Sequence, residues 1–249
     1  MYGEVADWLF EKDNLYLFGD FGCHSSSAIT CEGACTRLGP SCFELTKDDP
    51  HTNGYFWTKK KLNVSLPFSV EVTINVGKKD EGGEGLVFVL QDESMSTVGG
   101  IGEGMGFQGI SPSFGIAFDT NYNYPDMTQK DHISFHMNGF KNKLCNRRVD
   151  LSNIEDDSDH KVIIIWDPSS EHMAVFFDNE SSTPTLQMDV HLSNTFGSGE
   201  TFRGFTAGTG EKSNEQTVCI TEVKIGNENV PLLDPNNGMN CDKAQELKC

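Results

Sequence analysis

Oxygen donors crowd one short stretch of this chain. Asp119-Thr-Asn-Tyr-Asn-Tyr-Pro-Asp126 places carboxylate and amide oxygens at alternate positions, and Asp131 and His132 follow a few residues later. Alternate side chains of an extended backbone share a side, so Asp119, Asn121 and Asn123 can converge, and such a set of oxygen ligands is what a hard cation takes. Calcium suits it better than zinc, which favours Cys or His. The stretch lacks the Gly and the closing Glu of a helix-loop-helix calcium loop, and an acidic, Asn-rich segment is also an ordinary turn sequence.

The other chemistry-bearing candidates narrow quickly. Val98-Gly-Gly-Ile-Gly-Glu-Gly-Met-Gly-Phe107 lies inside the long irregular region from Gln91 to Ser113. A phosphate cradle would want a Lys after the glycines and a helix to follow; here Phe114, Ile116 and Phe118 alternate as in a strand. What remains is a surface loop, or a rim loop whose glycines let backbone amides approach a ligand closely. A glycoside hydrolase would need two carboxylates about 5 to 9.5 Å apart, and no E-x-D-x-E arrangement occurs. Glu71 stands opposite the apolar positions of its strand, as a solvated charge does. No Ser-His-Asp or Cys-His order can be argued, and His136 and His172 have no assigned partner. The expectation is a binding protein, not an enzyme.

Cysteine placement bears on compartment. Cys23, Cys31, Cys35 and Cys42 crowd together, Cys145, Cys219, Cys241 and Cys249 are spread out, and the even total of eight suits disulfides formed in an oxidising compartment. No C-x-x-C pair occurs, which argues against a structural zinc module. Two sequons, Asn63-Val-Ser65 and Asn179-Glu-Ser181, agree with secretion.

The elements that would position these residues are strands. Phe68, Val70, Val72, Ile74 and Val76 alternate with polar residues, the period of a strand wet on one face. Leu86–Leu90 and Val162–Trp166 are apolar runs too short for helices, as expected of strands covered on both faces. Ile133, Phe135 and Met137 alternate, as do Met173, Val175 and Phe177, and Trp166 to His172 reads as a hairpin connection. Between Ile220 and Val223 the apolar phase slips, predicting a bulge. No segment holds a sustained 3.6-residue period, so the fold class is an all-β sandwich or barrel.

Bulk properties remove further partners. Lys plus Arg is 19 against Asp plus Glu 37, a formal charge of -18, which repels nucleic acid and anionic membranes and welcomes a divalent cation. No run approaches the roughly 18 apolar residues of a membrane span, and Met1 to Phe10 lacks the basic flank and apolar stretch of a signal peptide. One domain over residues 1–230 is expected, carrying a Cys-rich insertion at about 23–42, with 231–249 a Cys-containing tail or linker. The cysteines at both ends suggest attachment to, or excision from, a longer surface or matrix protein.

Several motifs together carry a resemblance. Gly85-Leu-Val-Phe-Val-Leu-Gln-Asp92, Gly102-Glu-Gly-Met-Gly-Phe107, Phe114-Gly-Ile-Ala-Phe-Asp-Thr120, His132-Ile-Ser-Phe-His-Met-Asn-Gly139, Trp166-Asp-Pro168 and Gly204-Phe-Thr-Ala-Gly-Thr-Gly210 follow one another as in L-type, legume-like lectins. The chain resembles that family from about Ser41 to Ile225, and Gly204–Gly210 is most similar to the calcium-dependent mannose lectins of the early secretory pathway. The resemblance implies a concanavalin A-like jelly-roll sandwich of two antiparallel sheets. It implies a glycan pocket beside a bound calcium, with glycans or glycoproteins as partners in a secreted, extracellular or luminal setting.

Residue by residue, the resemblance places an acidic sugar ligand at Glu84, where family members usually carry Asp. It places loop amides at Gly102, Glu103 and Gly104, and further contacts at Gly210, Glu211 and Lys212. Asp119, the Asn121 carbonyl and Asn123 match the calcium ligands, and Asn123 also reaches the sugar. The additional carboxylate is Asp126 or Asp131, with Asp126 preferred because Pro125 limits the turn leading into it. Ala117 stands where legume members hold a Glu for a second, transition metal, so that site is expected to be absent although His132 is kept. Asn121 replaces a usual aromatic, for which Tyr122 or Tyr124 could substitute. These departures leave a structural or adhesive module with a vestigial sugar site as the alternative.

Overall fold

The computed structural model describes residues 28–123, 128–140, 142–179 and 182–230, without the side chains of 142–147. Expectations for Cys23, Cys241, Cys249, Tyr124, Asp126, the 231–249 tail and part of the second sequon fall outside these residues. In chain order the strands are β1 (Glu32–Gly33), β2 (Thr36–Arg37), β3 (Cys42–Thr46), β4 (Asn53–Trp57), β5 (Leu62–Asn63), β6 (Phe68–Asn75), β7 (Gly85–Gln91) and β8 (Ser113–Asp119). They continue with β9 (His132–Met137), β10 (Asn142–Asp150), β11 (His160–Asp167), β12 (His172–Phe177), β13 (Leu186–Asp189), β14 (Glu200–Gly208), β15 (Gln216–Ile225) and β16 (Glu228–Asn229). One helical turn, α1 (Leu192–Thr195), precedes β14. Among the described residues no helix is long and apolar enough to cross a membrane.

Two antiparallel sheets result. One runs β1-β4-β14-β7-β8-β9-β10, with β5 beside β14; the other runs β13-β12-β11-β6-β15-β3-β2, with β16 beside β15. This is the two-sheet sandwich that the resemblance implies, within the all-β class read from the alternation. The inward residues of β6, Phe68, Val70, Val72 and Ile74, pack with Phe88, Phe118 and Phe205 of the opposite sheet in one core. Phe43 of β3 stacks on Phe56 of β4 at 4.3 Å between ring centroids, joining the layers directly. Burying one such side chain stabilises the fold by roughly 1.5–3 kcal/mol.

A second apolar layer explains why β7 is buried at every position. On its outward face Val87 and Val89 join Tyr55, Trp57 and Ala117, and the Gly-rich loop lays Met105, Phe107 and Ile110 over them. Trp57 Nε1 donates to Thr97 O at 2.9 Å, tying that loop to the sheet. The run in β11 behaves differently: Val162, Ile164 and Trp166 are buried, but Ile163 and Ile165 are only half-buried, because among the described residues no such loop covers the outer face there. The predicted bulge is present, since the β15 pairing with β6 slips between Ile220 and Glu222.

Two disulfides are present among the described residues, Cys31–Cys35 and Cys42–Cys219. The second joins register partners on β3 and β15. At the centre of β14, Arg203 is 7% exposed. Burial alone pulls its pKa down to about 10, and among the described residues its guanidinium has no side-chain hydrogen bond or ion pair.

Candidate functional site

The site is assembled where β7, β8 and β14 end together. Gly85 pairs with Asp119 and Gly208, at φ +106° and so close to β8 that a β-carbon on it would lie 2.0 Å from Phe118 O. Only glycine permits that approach, and it fixes Glu84 between the two neighbouring strand ends. The Glu84 amide donates to Gly208 O and its carbonyl accepts from the Thr120 amide, each at 3.4 Å.

The Glu84 side chain is 6% exposed. Its Oε2 accepts from Asn121 Nδ2 at 3.0 Å and from Asn123 Nδ2 at 2.7 Å. A carboxylate can only accept, so both amide nitrogens must face it. Oε1 points instead at Gly210. Gly102, at φ +60°, closes the far side: its amide donates to Thr209 O at 3.2 Å, and a β-carbon on it would sit 3.7 Å from Gly210 Cα. Glu84, Gly102, Asn121, Asn123 and Gly210 therefore converge on one small volume.

Rim and loop residues divide by what they already bond. The Gly102 amide is engaged with Thr209, and that of Gly104 donates to Ile101 O at 3.1 Å. Among the described residues the Glu103 amide has no protein acceptor. Glu211 pairs with His51 at 3.4 Å and Lys212 with Glu81 at 3.2 Å, both in solvent. Ile101 and Tyr122 leave apolar surface at the rim, exposed by 50% and 45%.

Asp119 lies one step deeper. Its Oδ1 accepts the Asn121 amide at 3.2 Å, and Oδ2 is 3.8 Å from His132 Nε2. His132 Nδ1 lies 3.1 Å from Lys130 O, an acceptor, so Nδ1 carries a proton and Nε2 is the nitrogen turned to Asp119. Asn121 and Asn123 turn their nitrogens to Glu84, so the other end of each side-chain amide is a carbonyl oxygen. Oxygen is also the donor type of Asp119, and hard cations take oxygen ligands. Among the described residues no cluster of three His, Cys, Asp or Glu side chains could itself hold a metal ion.

Asp131 is already engaged by a backbone amide. Its Oδ2 accepts the Ile154 amide at 2.7 Å, and burial with the nearby Asp80 charge raises its pKa despite that bond. Glu155, 2% exposed, is pushed up to about 8 by burial and then by Asp131 and Asp80. Asn214 was not singled out by any motif, yet it clamps the loop leading to Glu84: Nδ2 donates to Gly82 O at 2.7 Å and Oδ1 accepts from the Lys79 amide at 3.3 Å. A lone Asn carries no periodic or spacing signal, so only the fold reveals it.

Comparison with known proteins follows the same lines. A family profile described as the legume lectin beta-barrel domain, an L-type lectin domain, matches residues 23–222. The probable L-type lectin-domain containing receptor kinase I.5 of Arabidopsis thaliana is 27% identical over 229 residues, covering 80% of this chain and 33% of that protein. The chain thus spans about a third of the length of that curated relative. Lectin I-B4 from Griffonia simplicifolia in its metal-free form superposes with a TM-score of 0.68 at 17% identity, over 80% of this chain and 93% of that chain. The lectin from Bauhinia forficata in complex with GalNAc gives 0.67 at 16% identity, over 79% and 91%. At these identities the structural likeness shows the fold.

Proposed function

The chain belongs to the L-type, legume-type lectin domain family, and from that premise we propose that the pocket around Glu84 binds a glycan, with calcium and without catalysis. The observation that carries this is the Glu84 carboxylate: one oxygen is held by Asn121 and Asn123, and the other faces the gap bounded by Gly102 and Gly210. A sugar hydroxyl would donate to that second oxygen, and the Glu103 amide would donate to a neighbouring hydroxyl. Asn123 would serve both groups, its amide nitrogen on Glu84 and its carbonyl oxygen as a donor for the cation. Tyr122 and Ile101 offer apolar surface to the face of a sugar ring.

When bound, calcium would be held by Asp119, the Asn121 carbonyl and Asn123, with Asp126 as the additional carboxylate. It would hold the segment after β8 in the shape that presents Asn123. The Bauhinia forficata lectin is in complex with GalNAc, which makes galactose-type sugars the first to test. An oxidising, extracellular or luminal setting fits the two disulfides, and the Arabidopsis relative carries its lectin domain in a receptor kinase, so a place in a longer surface protein is part of the proposal.

The test is a glycan array run with calcium and again with chelator, on the wild type and on Glu84→Ala. Binding that needs both calcium and Glu84 supports the reading. The second reading, an adhesive or structural module, is favoured by the engagement of both Asn side chains with Glu84, since that pocket is already satisfied on one side. An array without signal, together with an undiminished melting temperature in chelator, would select it.

A further inference from the structure

One sequon is presented as a modification site would be. Asn63 ends β5 at an exposed position. Its Oδ1 accepts the Ser65 amide at 2.8 Å and the Ser65 hydroxyl at 2.6 Å, and Leu66 closes the turn by donating to Asn63 O at 3.1 Å. With Oδ1 occupied inside the turn, Nδ2 has no protein acceptor among the described residues. Asn179 of the second sequon differs, because its Nδ2 donates to Thr183 O at 2.9 Å.

Beside Asn63 lies a groove of about 500 Å³, lined by Asn63 itself and by Val64, Trp166, Pro168, Ser193, Phe196 and Ser198 among others. Trp166 Nε1 donates to Val64 O at 2.8 Å, which fastens the sequon turn to the groove floor. The lining combines the apolar Val64, Trp166, Pro168 and Phe196 with the polar Ser193 and the acidic Glu171, a mixture that suits a sugar ring, whose two faces are apolar and whose edge carries hydroxyls. We infer that Asn63 is an N-glycosylation site and that the first sugar of its glycan lies in this groove. Asn63 pairs with the start of β14 and Glu84 bonds to its end, and the inference rests on the secretory routing proposed above, not on sugar binding.

The chemistry is a group transfer from a polyprenyl-diphosphate-linked oligosaccharide in the secretory lumen. Asn63 Nδ2 forms a bond to C1 of the reducing-end N-acetylhexosamine. The bond from C1 to the diphosphate oxygen breaks, the lipid diphosphate leaves with the electron pair, and the transferase base takes the Nδ2 proton. Only Asn-x-Ser/Thr asparagines are accepted.

The test is secretion of the full chain from a eukaryotic host, then peptide mapping after peptide N-glycosidase treatment, which converts a glycosylated Asn to Asp. Conversion at Asn63 is expected, lost in Ser65→Ala and kept in Ser65→Thr; an unmodified Asn63 in secreted protein overturns the assignment. The same preparation goes onto the glycan array, so failure of sugar binding and failure at Asn63 are read separately. For the groove, Gly197→Trp is informative, because a β-carbon there meets nothing within 4 Å and a large ring can fill the space. If the sugar rests in the groove, this variant should speed enzymatic release from the folded protein roughly tenfold by displacing it. An unchanged rate overturns the groove placement.

Discussion

The Oε1 of Glu84 occupies the space that a β-carbon on residue 210 would need, the two lying 2.3 Å apart if that carbon is built. Family members usually place the shorter Asp at position 84, so the longer Glu here is accommodated by glycine across the pocket. Gly210→Ala should therefore push the carboxylate off its position and weaken glycan binding by roughly tenfold or more, with the melting temperature nearly unchanged because residue 210 is in a loop. Glu84→Asp in the same background withdraws the carboxylate and should recover part of the loss, a coupling that a double-mutant cycle measures directly. Additive effects would mean that the two residues do not share the pocket.

The calcium proposal has a stability readout independent of sugar. An unfolded chain holds no such oxygen set, so a cation at Asp119, Asn121 and Asn123 stabilises the folded state by mass action, about 2.7 kcal/mol at a hundredfold excess over Kd. Melting temperature should climb with calcium, and Asp119→Ala should abolish the climb together with glycan binding. Absence of calcium uptake by calorimetry at millimolar concentration would make the site vestigial.

How far the sequence reached depended on how local each signal was. The alternation in β6 and the phase slip at Ile220 are written in neighbouring residues, and both strand and bulge stand where those patterns place them. Glu84 needed the family resemblance, since nothing about a Glu before a Gly marks a ligand. The half-exposed Ile163 and Ile165, the clamp by Asn214 and the pairing of Cys42 with Cys219 were not legible. Each depends on which distant segment covers or meets the residue, and contacts separated by more than a hundred positions leave no periodic trace. Asp131 shows the same limit: adjacent to His132 in sequence, its carboxylate turns to the Ile154 amide.

The two disulfides should differ in worth. Cys42–Cys219 spans 177 positions and Cys31–Cys35 only 4, and loop-closure entropy gives roughly 5 kcal/mol for the former against roughly 2 kcal/mol for the latter. Denaturant unfolding of the paired Cys→Ser variants should show the larger loss for the long loop. Thiol titration in denaturant without reductant should find none of these four sulfurs free.

His160 predicts a slope of stability with pH. Its Nδ1 lies 2.6 Å from Asp178 Oδ2 and its Nε2 3.1 Å from Ile154 O, both acceptors, with Asp156 Oδ1 3.3 Å away. Burial alone would lower its pKa, but the hydrogen bond and charge of Asp178 and the charge of Asp156 outweigh it, so the pKa is raised. A raised folded-state pKa stabilises fully below the unfolded value and is lost as pH rises through the folded one. Urea unfolding should therefore show falling stability from about pH 6.5 upward, and His160→Gln should flatten the profile. Glu155, also more protonated in the folded chain, slopes the same way, so the variant should not level it. A steeper slope in the variant would contradict the assignment.

Arg203 should be a place where the protein is less stable than its fold allows. A buried cation loses its hydration, and partners normally return that energy; here Leu90 flanks the residue across the ladder and burial is what depresses its pKa to about 10. Methionine has a similar reach, fits irregular apolar space and needs no partner, so Arg203→Met should stabilise the domain by roughly 1–4 kcal/mol, the range seen when buried charges are replaced by apolar side chains. The backbone bond from the Arg203 amide to Thr58 Oγ1 is untouched by the change, which isolates the side-chain effect. Glycan binding should stay as it was, because Arg203 lies five residues before Gly208, near the middle of β14, and the pocket gathers at its end. A fall in stability on denaturant unfolding would show that the guanidinium is satisfied in solution, by ordered water or an anion reaching the β14 interior.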